Sequence, residues 1–306
     1  MSTSSSPPLL IVITGPTATG KTGVAVELAK RFNTSILSAD SRQFYKEMSI
    51  GTAKPTQDEM EGIPHYFIGF LSIKEKYDVG QFEKDALHRL NKIFQSNDTA
   101  IAVGGSGLFI KAVTEGLDPL PRVDPSIREE LNALYANYGI DSLQEELREK
   151  DPAYYKQVDL SNPHRLIRAL EVMRGTGTPF SAYRKGHQQP RSFNVLKLGI
   201  SLARNILYDR INKRVDKMVE NGLLEEVKQL QDCQQYQALQ TVGYRELFDY
   251  LNGKLDLETA VQLIKTHTRQ YAKRQLTWFR REEDIHWFKP SAIEEMMSTI
   301  DKYKKW

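Results

Sequence analysis

Cysteine is almost absent: Cys233 is the single one in 306 residues. A lone thiol excludes an internal disulfide framework and any multi-cysteine zinc site. No apolar run reaches membrane-spanning length, and no segment joins a basic start to an apolar middle as a signal peptide does. The six histidines, His65, His88, His164, His187, His267 and His286, are scattered without metal-ligand spacing, and all but His65 and His164, which lie in motifs taken up below, read as structural. Internal repeats and low-complexity tracts are missing too, and the polar opening MSTSSSPP has the composition of a mobile end. These absences leave a cytoplasmic enzyme without a membrane partner, long enough for two domains. A net charge of +3 says little about partners. Its distribution says more. Lys265, Arg269, Lys273, Arg274, Arg280 and Arg281 crowd one stretch that holds no acidic residue.

Apolar runs alternate with amphipathic stretches in the first third. LLIVITG (9–15) reads as a fully buried strand, Thr22 to Phe32 as a helix, SILSAD (35–40) as a second strand and HYFIGF (65–70) as a third. Asp78 caps a helix to about Phe94, and TAIAVGG (99–105) is another buried strand. This rhythm predicts a parallel sheet covered by helices on both faces. Proline and aspartate in DPLPRVDPS then mark a boundary. Asp124-Pro125 and Asn162-Pro163 each join a cap to a first-turn proline, and the second opens a helix that stops at Gly175. Residues 117–194 therefore read as a small all-helical insertion in a core made of 1–116 and 195–306. VLKLGISL (195–202) returns to strand pattern. Helices follow at 204–220, 223–232, 241–251 and 257–281, then a short strand, IHWF (285–288), and a final helix. The fold class is α/β: a P-loop parallel sheet flanked by helices, with a helical insertion and a helical C-terminal part.

The P-loop lies in Gly15, Pro16, Thr17, Ala18, Thr19, Gly20, Lys21 and Thr22, which fit G-x-x-x-x-G-K-[ST] between a buried strand and a helix. Glycines let the backbone curl so that successive N–H groups point inward, and the helix start adds partial positive charge. Lys21 supplies a full charge, and Thr22 can hold Mg²⁺. The motif says phosphate, not which reaction. Enzymes that transfer a terminal phosphate usually end a buried strand in an acid that holds the metal shell. TAIAV ends instead in Gly104-Gly105-Ser106-Gly107. SILSAD does end in an acid, Asp40, at a strand end facing the same crevice. Asp40 is placed as a metal-shell group, as a base near the phosphates, or as a plain cap.

Further motifs follow in order: SADSRQFY (38–45), IGTAKP (50–55), GGSGLFI (104–110), HRLIRALEV (164–172), RINKRVDKM (210–218) with GLLEEV after it, TVGYRE (241–246) and KRQLTWFRR (273–281). Together with the P-loop they make the chain resemble the tRNA dimethylallyltransferases of the bacterial type over nearly its whole length. The resemblance implies that dimethylallyl diphosphate sits with its pyrophosphate in the loop. The allyl group would pass to N6 of adenine 37, flipped from the anticodon loop into a channel. It implies Asp40 as the base, Thr22 and Ser106 at the reacting centre, Arg214 as a cationic arm on the leaving group, and Mg²⁺ held through Thr22. Ser106 keeps the hydroxyl of the family's usual threonine. Phe109 lacks the phenol of its frequent tyrosine, so packing is the expected role there.

The resemblance also implies a surface for the tRNA anticodon stem-loop. Asp40, Ser41, Arg42, Gln43 and Ser106 would meet the target base and its neighbours. Arg128, His164, Arg165 and Arg168 would reach from the insertion, and Gln240, Thr241, Val242, Gly243, Tyr244 and Arg245 would form another contact. Lys273, Arg274, Gln275, Trp278 and Arg280 complete the set. On a helix, Lys265, Arg269, Lys273 and Arg280 share a face that can follow phosphates, while Ile264, Tyr271 and Trp278 share one that can pack on the core. A monomer is expected. Three other readings stand beside this one: a P-loop kinase or NTPase using Asp40 for its metal, an adenylate isopentenyltransferase acting on free nucleotide, and a non-catalytic RNA-binding module. The last has no use for Lys21, Thr22 and Asp40 together, and the adenylate enzyme should not need KRQLTWFRR.

Overall fold

The computed structural model describes residues 7–186 and 189–304, so the opening MSTSSS and His187 lie outside the described residues. The chain divides into two compact units. One is Met1–Glu115 with Pro190–Trp306, and the other is Gly116–Gln189.

Among the described residues, six strands build the first unit: β1 (Leu9–Thr14), β2 (Ile36–Ser38), β3 (His65–Tyr66), β4 (Thr99–Gly104), β5 (Asn194–Ile200) and β6 (Ile285–Phe288). They form one sheet in the order β3-β2-β4-β1-β5-β6, with every pairing parallel. Side chains alternate across a strand, so β1 feeds two cores. Leu10 and Val12 pack with Phe82, Ala86 and Leu90 of the helix Val79–Ile93. Leu9, Ile11 and Ile13 pack with Val24, Ala25 and Leu28 of the loop helix (Lys21–Arg31) and with Met296 and Ile300 of the helix Ile293–Lys304. A third cluster joins the C-terminal helices through Leu223, Val227, Tyr244, Leu247, Phe248 and Ile264.

Among the boundaries that differ from the sequence pattern, three do so for a visible local reason. HYFIGF contributes only His65–Tyr66 to the sheet, because Phe67 (φ 64) and Gly69 (φ 55) turn into the left-handed region. Phe67 and Phe70 instead join an aromatic cluster with Phe44 and Phe82. The helix after Gln240 begins only at Tyr244, since Gly243 sits at φ 96. The helix opened by Asn162 runs through Gly175 to Thr176 and ends at Gly177 (φ 71). Gly175 is small for packing, not for termination: a Cβ there would clash with Val123. That helix, the helix Pro125–Tyr138 and the helix Ile140–Lys150 make the core of the second unit around Leu131, Leu143, Leu147, Leu166 and Leu170. The second unit closes at Gln189, short of residue 194. Arg191 belongs to the first unit because its Nη2 donates to Glu83 Oε1 at 2.7 Å and to the carbonyl of Ala112 at 2.6 Å.

Candidate active site

Where β1 ends, the chain must curl tightly over the start of the loop helix. Gly15 (φ 137), Ala18 (φ 63) and Gly20 (φ 92) supply the turn, and a Cβ on Gly15 would clash with the carbonyl of Ile200. Lys21 folds back over the loop, its Nζ donating to Pro16 O at 2.6 Å. Burial lowers its pKa to about 8, with Asp40 pulling upward and Arg214 downward. The arginine helix (Arg204–Glu220) brings Arg214, whose Nη1 donates to Thr17 Oγ1 at 3.2 Å. Burial lowers the Arg214 pKa, and Asp40 opposes that shift. Thr22 is half-buried, and no protein group among the described residues hydrogen-bonds its hydroxyl. It is free to meet a ligand or a metal.

Asp40 follows β2 and faces these cations. Its Oδ1 accepts the Arg42 N–H at 3.1 Å, which fixes the carboxylate and leaves the second oxygen without a bond to that amide. Beside it, Ser106 Oγ accepts the Ser41 N–H at 3.3 Å and lies 3.4 Å from Ser41 Oγ. Gly104 carries no side chain because one would clash with the carbonyl of Ala39, so β2 and β4 can end side by side. Burial first, then Asp40, raises the Tyr271 phenol, keeping it neutral. One carboxylate thus acts on Lys21, Arg214 and Tyr271 together.

Two residues in this group escaped the sequence pattern. Arg210 lies one turn before Arg214, and a Cβ on Gly20 would sit 3.6 Å from its Nη2. The i, i+4 spacing of the two arginines was the available signal. Tyr271 read only as packing, although it shares a face with Gln275 and Trp278 of the long helix Leu257–Phe279.

Several residues assigned to RNA have their polar groups committed inside the protein. Gln275 is buried and bonded to the loop: it accepts the Thr17 N–H at 2.9 Å and donates to Gly105 O at 2.8 Å. Gly107 makes room for Trp278, since a Cβ there would clash with the indole. Tyr244 is 0% exposed, and its hydroxyl donates to Glu226 Oε1 at 2.6 Å. Glu226 also accepts the N–H groups of Ser49, Ile50 and Gly51, so GLLEEV, IGTAKP and TVGYRE form one brace. Gly243 is buried with Tyr244, while Gln240 and Arg245 are exposed and Thr241 and Val242 half-buried. Gln43 donates to the carbonyls of Thr52 and Ala53, and Arg42 Nη1 to Gln237 and Ala238. On the long helix, Lys265 pairs with Asp216 and Arg269 with Asn212, so that half of the basic face turns toward the arginine helix. Lys273, Arg274 and Arg280 are exposed. In the second unit, Arg128 and Arg168 both pair with buried Glu171, at 3.2 and 2.9 Å, whereas His164 and Arg165 are exposed. Phe109 packs on Phe44 and Phe82 with centroids 5.5 and 5.2 Å away, as the missing phenol suggested.

Among the described residues, no cluster of three His, Cys, Asp or Glu side chains is arranged to hold a metal. Among the same described residues, no helix is long and apolar enough to cross a membrane. A loop at the end of β1 beside two buried cations, with the carboxylate that follows β2 acting on both, defines a P-loop α/β protein. A model of the IPP transferase family matches residues 43–282. The chain is 53% identical over 91% of its length to a tRNA dimethylallyltransferase of Christiangramia forsetii, covering 92% of that protein. It is 47% identical over 95% of its length to one from Cytophaga hutchinsonii, covering 96% of it. Its fold matches the crystal structure of the full-length tRNA isopentenylpyrophosphate transferase of Bacillus halodurans with a TM-score of 0.73 at 38% identity, over 97% of both chains. A eukaryotic dimethylallyltransferase acting on tRNA matches with a TM-score of 0.77 at 26% identity, over 97% of this chain and 77% of the other. The chain belongs to the IPP transferase family and is an enzyme of the prenyltransferase type.

Proposed function

We propose that the chain transfers a dimethylallyl group from dimethylallyl diphosphate to N6 of adenine 37 beside the tRNA anticodon, releasing diphosphate. The single observation that carries this reading is the position of Asp40, a carboxylate acting on both Lys21 of the phosphate loop and Arg214, which reaches that loop from the arginine helix. An adenine amino group is a weak nucleophile because its lone pair is delocalised into the ring. As the N6–C1 bond forms and the C1–O bond breaks, Asp40 takes the N6 proton. Such a base contributes about 10²–10⁴-fold. Diphosphate leaves with the bonding pair, and its charge falls on Lys21, Arg214 and the free loop amides. Electrostatic stabilisation of this kind is usually the largest contribution. Mg²⁺, when bound, would neutralise phosphate oxygens, and the Thr22 hydroxyl, which has no protein partner among the described residues, would hold it. Ser41 and Ser106, hydrogen-bonded to each other, fix the ends of β2 and β4 beside Asp40. Exposed Lys273, Arg274, Arg280, His164 and Arg165 remain for the tRNA phosphates.

The test uses labelled dimethylallyl diphosphate, Mg²⁺ and unmodified tRNA reading codons that begin with U. Label should move to the tRNA, and Asp40→Asn should lower turnover by about 10²–10⁴-fold with a modest change in tRNA affinity. Label moving to free AMP, or ATP turnover without allyl transfer, would replace the reading. Equal turnover in wild type and variant would remove Asp40 from the mechanism.

A further inference from the structure

Glu226 uses both carboxylate oxygens on chain segments outside its own helix. Oε2 accepts the N–H groups of Ser49 and Ile50 at 2.9 and 2.8 Å, and Oε1 accepts the Gly51 N–H at 3.0 Å and the Tyr244 hydroxyl at 2.6 Å. Successive backbone amides that converge on one carboxylate form an anion-holding nest, and charge-assisted bonds of this kind are about twice as strong as neutral ones. The contact is closely packed as well, since a Cβ on Gly51 would clash with the Tyr244 ring. The turn held in this way is strained. Ala53 sits at φ 47, in the left-handed region, and a residue other than glycine persists there only when its surroundings over-determine it.

The strained end of that turn meets Gln43. The carbonyls of Thr52 and Ala53 accept from Gln43 Nε2 at 3.3 and 3.0 Å, while Gln43 Oε1 accepts from Ser38 Oγ at 3.3 Å. Gln43 also closes the bend that carries Asp40. Its N–H donates to the Asp40 carbonyl at 3.0 Å, and within that bend the Arg42 N–H donates to Asp40 Oδ1. The sheet fixes the chain just before Asp40, where the Ala39 N–H donates to Val103 O at 2.7 Å. The chain after Asp40 is fixed by the side chain of Gln43. A carboxylate that takes a proton as a bond forms tolerates little displacement, since about 1 Å can cost about a hundredfold in rate. We propose that Glu226 is a positioning residue for Asp40, acting through the turn at 49–53 and the side chain of Gln43. The inference rests on the assignment of Asp40 as the base in the function proposed above.

The experiment compares wild type, Glu226→Gln, Gln43→Met and the double variant, each as the intact chain. Glu226→Gln keeps the volume and turns one accepting oxygen into an amide nitrogen that faces donors. Two quantities are read: the single-turnover rate of allyl transfer at saturating dimethylallyl diphosphate and tRNA, well below the melting temperature, and backbone hydrogen exchange. Glu226→Gln should slow the saturated rate by at least about tenfold, with tRNA affinity within about twofold of wild type, as expected when only the reacting geometry is lost. The double variant should be no slower than Gln43→Met alone, because two residues on one relay do not act independently. Exchange should quicken at Ser49, Ile50 and Gly51 and also at Arg42 and Gln43, which a brace confined to the turn would not cause. A saturated rate equal to wild type would overturn the proposal. So would effects that multiply in the double variant, or quickened exchange confined to 49–51. Should Glu226→Gln not fold, Tyr244→Phe removes one bond from Glu226 and is read by the same exchange pattern. A wild type that transfers no allyl group to tRNA would sink the proposed function, and the exchange pattern would still decide the relay.

Discussion

Lys21 shows how one burial sets the working range of the site. Burial is the main cause that lowers it from 10.5 to about 8, with Arg214 adding to the effect and Asp40 opposing it. The ammonium that attracts phosphate is therefore present below about 8 in the empty site and is lost above it. Bound diphosphate favours the charged form, so binding takes up a proton once the pH passes that point. Pyrophosphate affinity should fall as pH rises through about 8, by up to about tenfold per unit for one coupled proton. Pyrophosphate titrates too, so the quantity to read is the difference between wild type and Lys21→Met in calorimetric titrations from neutral to alkaline pH. A constant difference would show that the Lys21 charge does not attract the ligand. Folding obeys the opposite sign. Between about 8 and 10.5 the unfolded chain holds the Lys21 proton and the native site does not, so this group makes stability rise with pH across that window.

At the scale of an element, the long helix Leu257–Phe279 has three faces with separate tasks. Tyr271, Gln275 and Trp278 pack against the phosphate loop and the turn at Gly105–Gly107, Lys265 and Arg269 brace the arginine helix, and Lys273 with Arg274 stays exposed. Lys273→Ala should weaken tRNA binding and reduce its salt slope by about one, with pyrophosphate binding unchanged. Arg269→Ala should leave that slope alone and cost about 1 kcal/mol of stability, the scale of one hydrogen bond. Salt-dependent tRNA titrations beside thermal melts separate the two, and equal slopes in both variants would refute the division. The sequence showed this helix and its basic content, because periodicity and charge are local properties. It did not show which basic residues face solvent, because the facing partners, Asp216 and Asn212, come from another helix. Gln275 was hidden for the same reason. Nothing in KRQLTWFRR says that the amide meets residues 258 and 170 positions away in the chain. The strands, by contrast, were legible in place and order, although SILSAD leaves the sheet at Ser38, VLKLGISL leaves it at Ile200, and Phe67 left the extended region to join an aromatic cluster. Asp40 was legible because the end of a parallel strand beside a phosphate loop has only one crevice to face.

For the whole molecule, the arrangement at the junction decides whether the insertion is needed for the core to fold. The chain leaves the first unit at Glu115 and returns at Pro190. Both sides are held inside that unit. Glu115 accepts from Lys197 of β5 at 3.0 Å, and Arg191 donates to the carbonyl of Ala112 at 2.6 Å and to Glu83. Lys197 is 4% exposed; burial pushes its pKa down, but its pairs with Glu282 and Glu115 outweigh that and raise it, so it stays charged at neutral pH. The hydrophobic clusters of the two units share no residue, and the second unit has its own core around Leu131, Leu147 and Leu170. A chain in which a short glycine-serine linker replaces residues 116–189 should therefore unfold in one cooperative thermal transition. Its pyrophosphate affinity should stay within about 0.5 kcal/mol of wild type, the usual additivity of changes that share no partners. Its tRNA affinity should drop, with a shallower salt slope, because exposed Arg165 and His164 go with the insertion. Loss of the thermal transition would mean that the core depends on the insertion to fold. An unchanged tRNA salt slope would mean that the insertion's basic residues are solvated surface and that the long helix carries the RNA by itself.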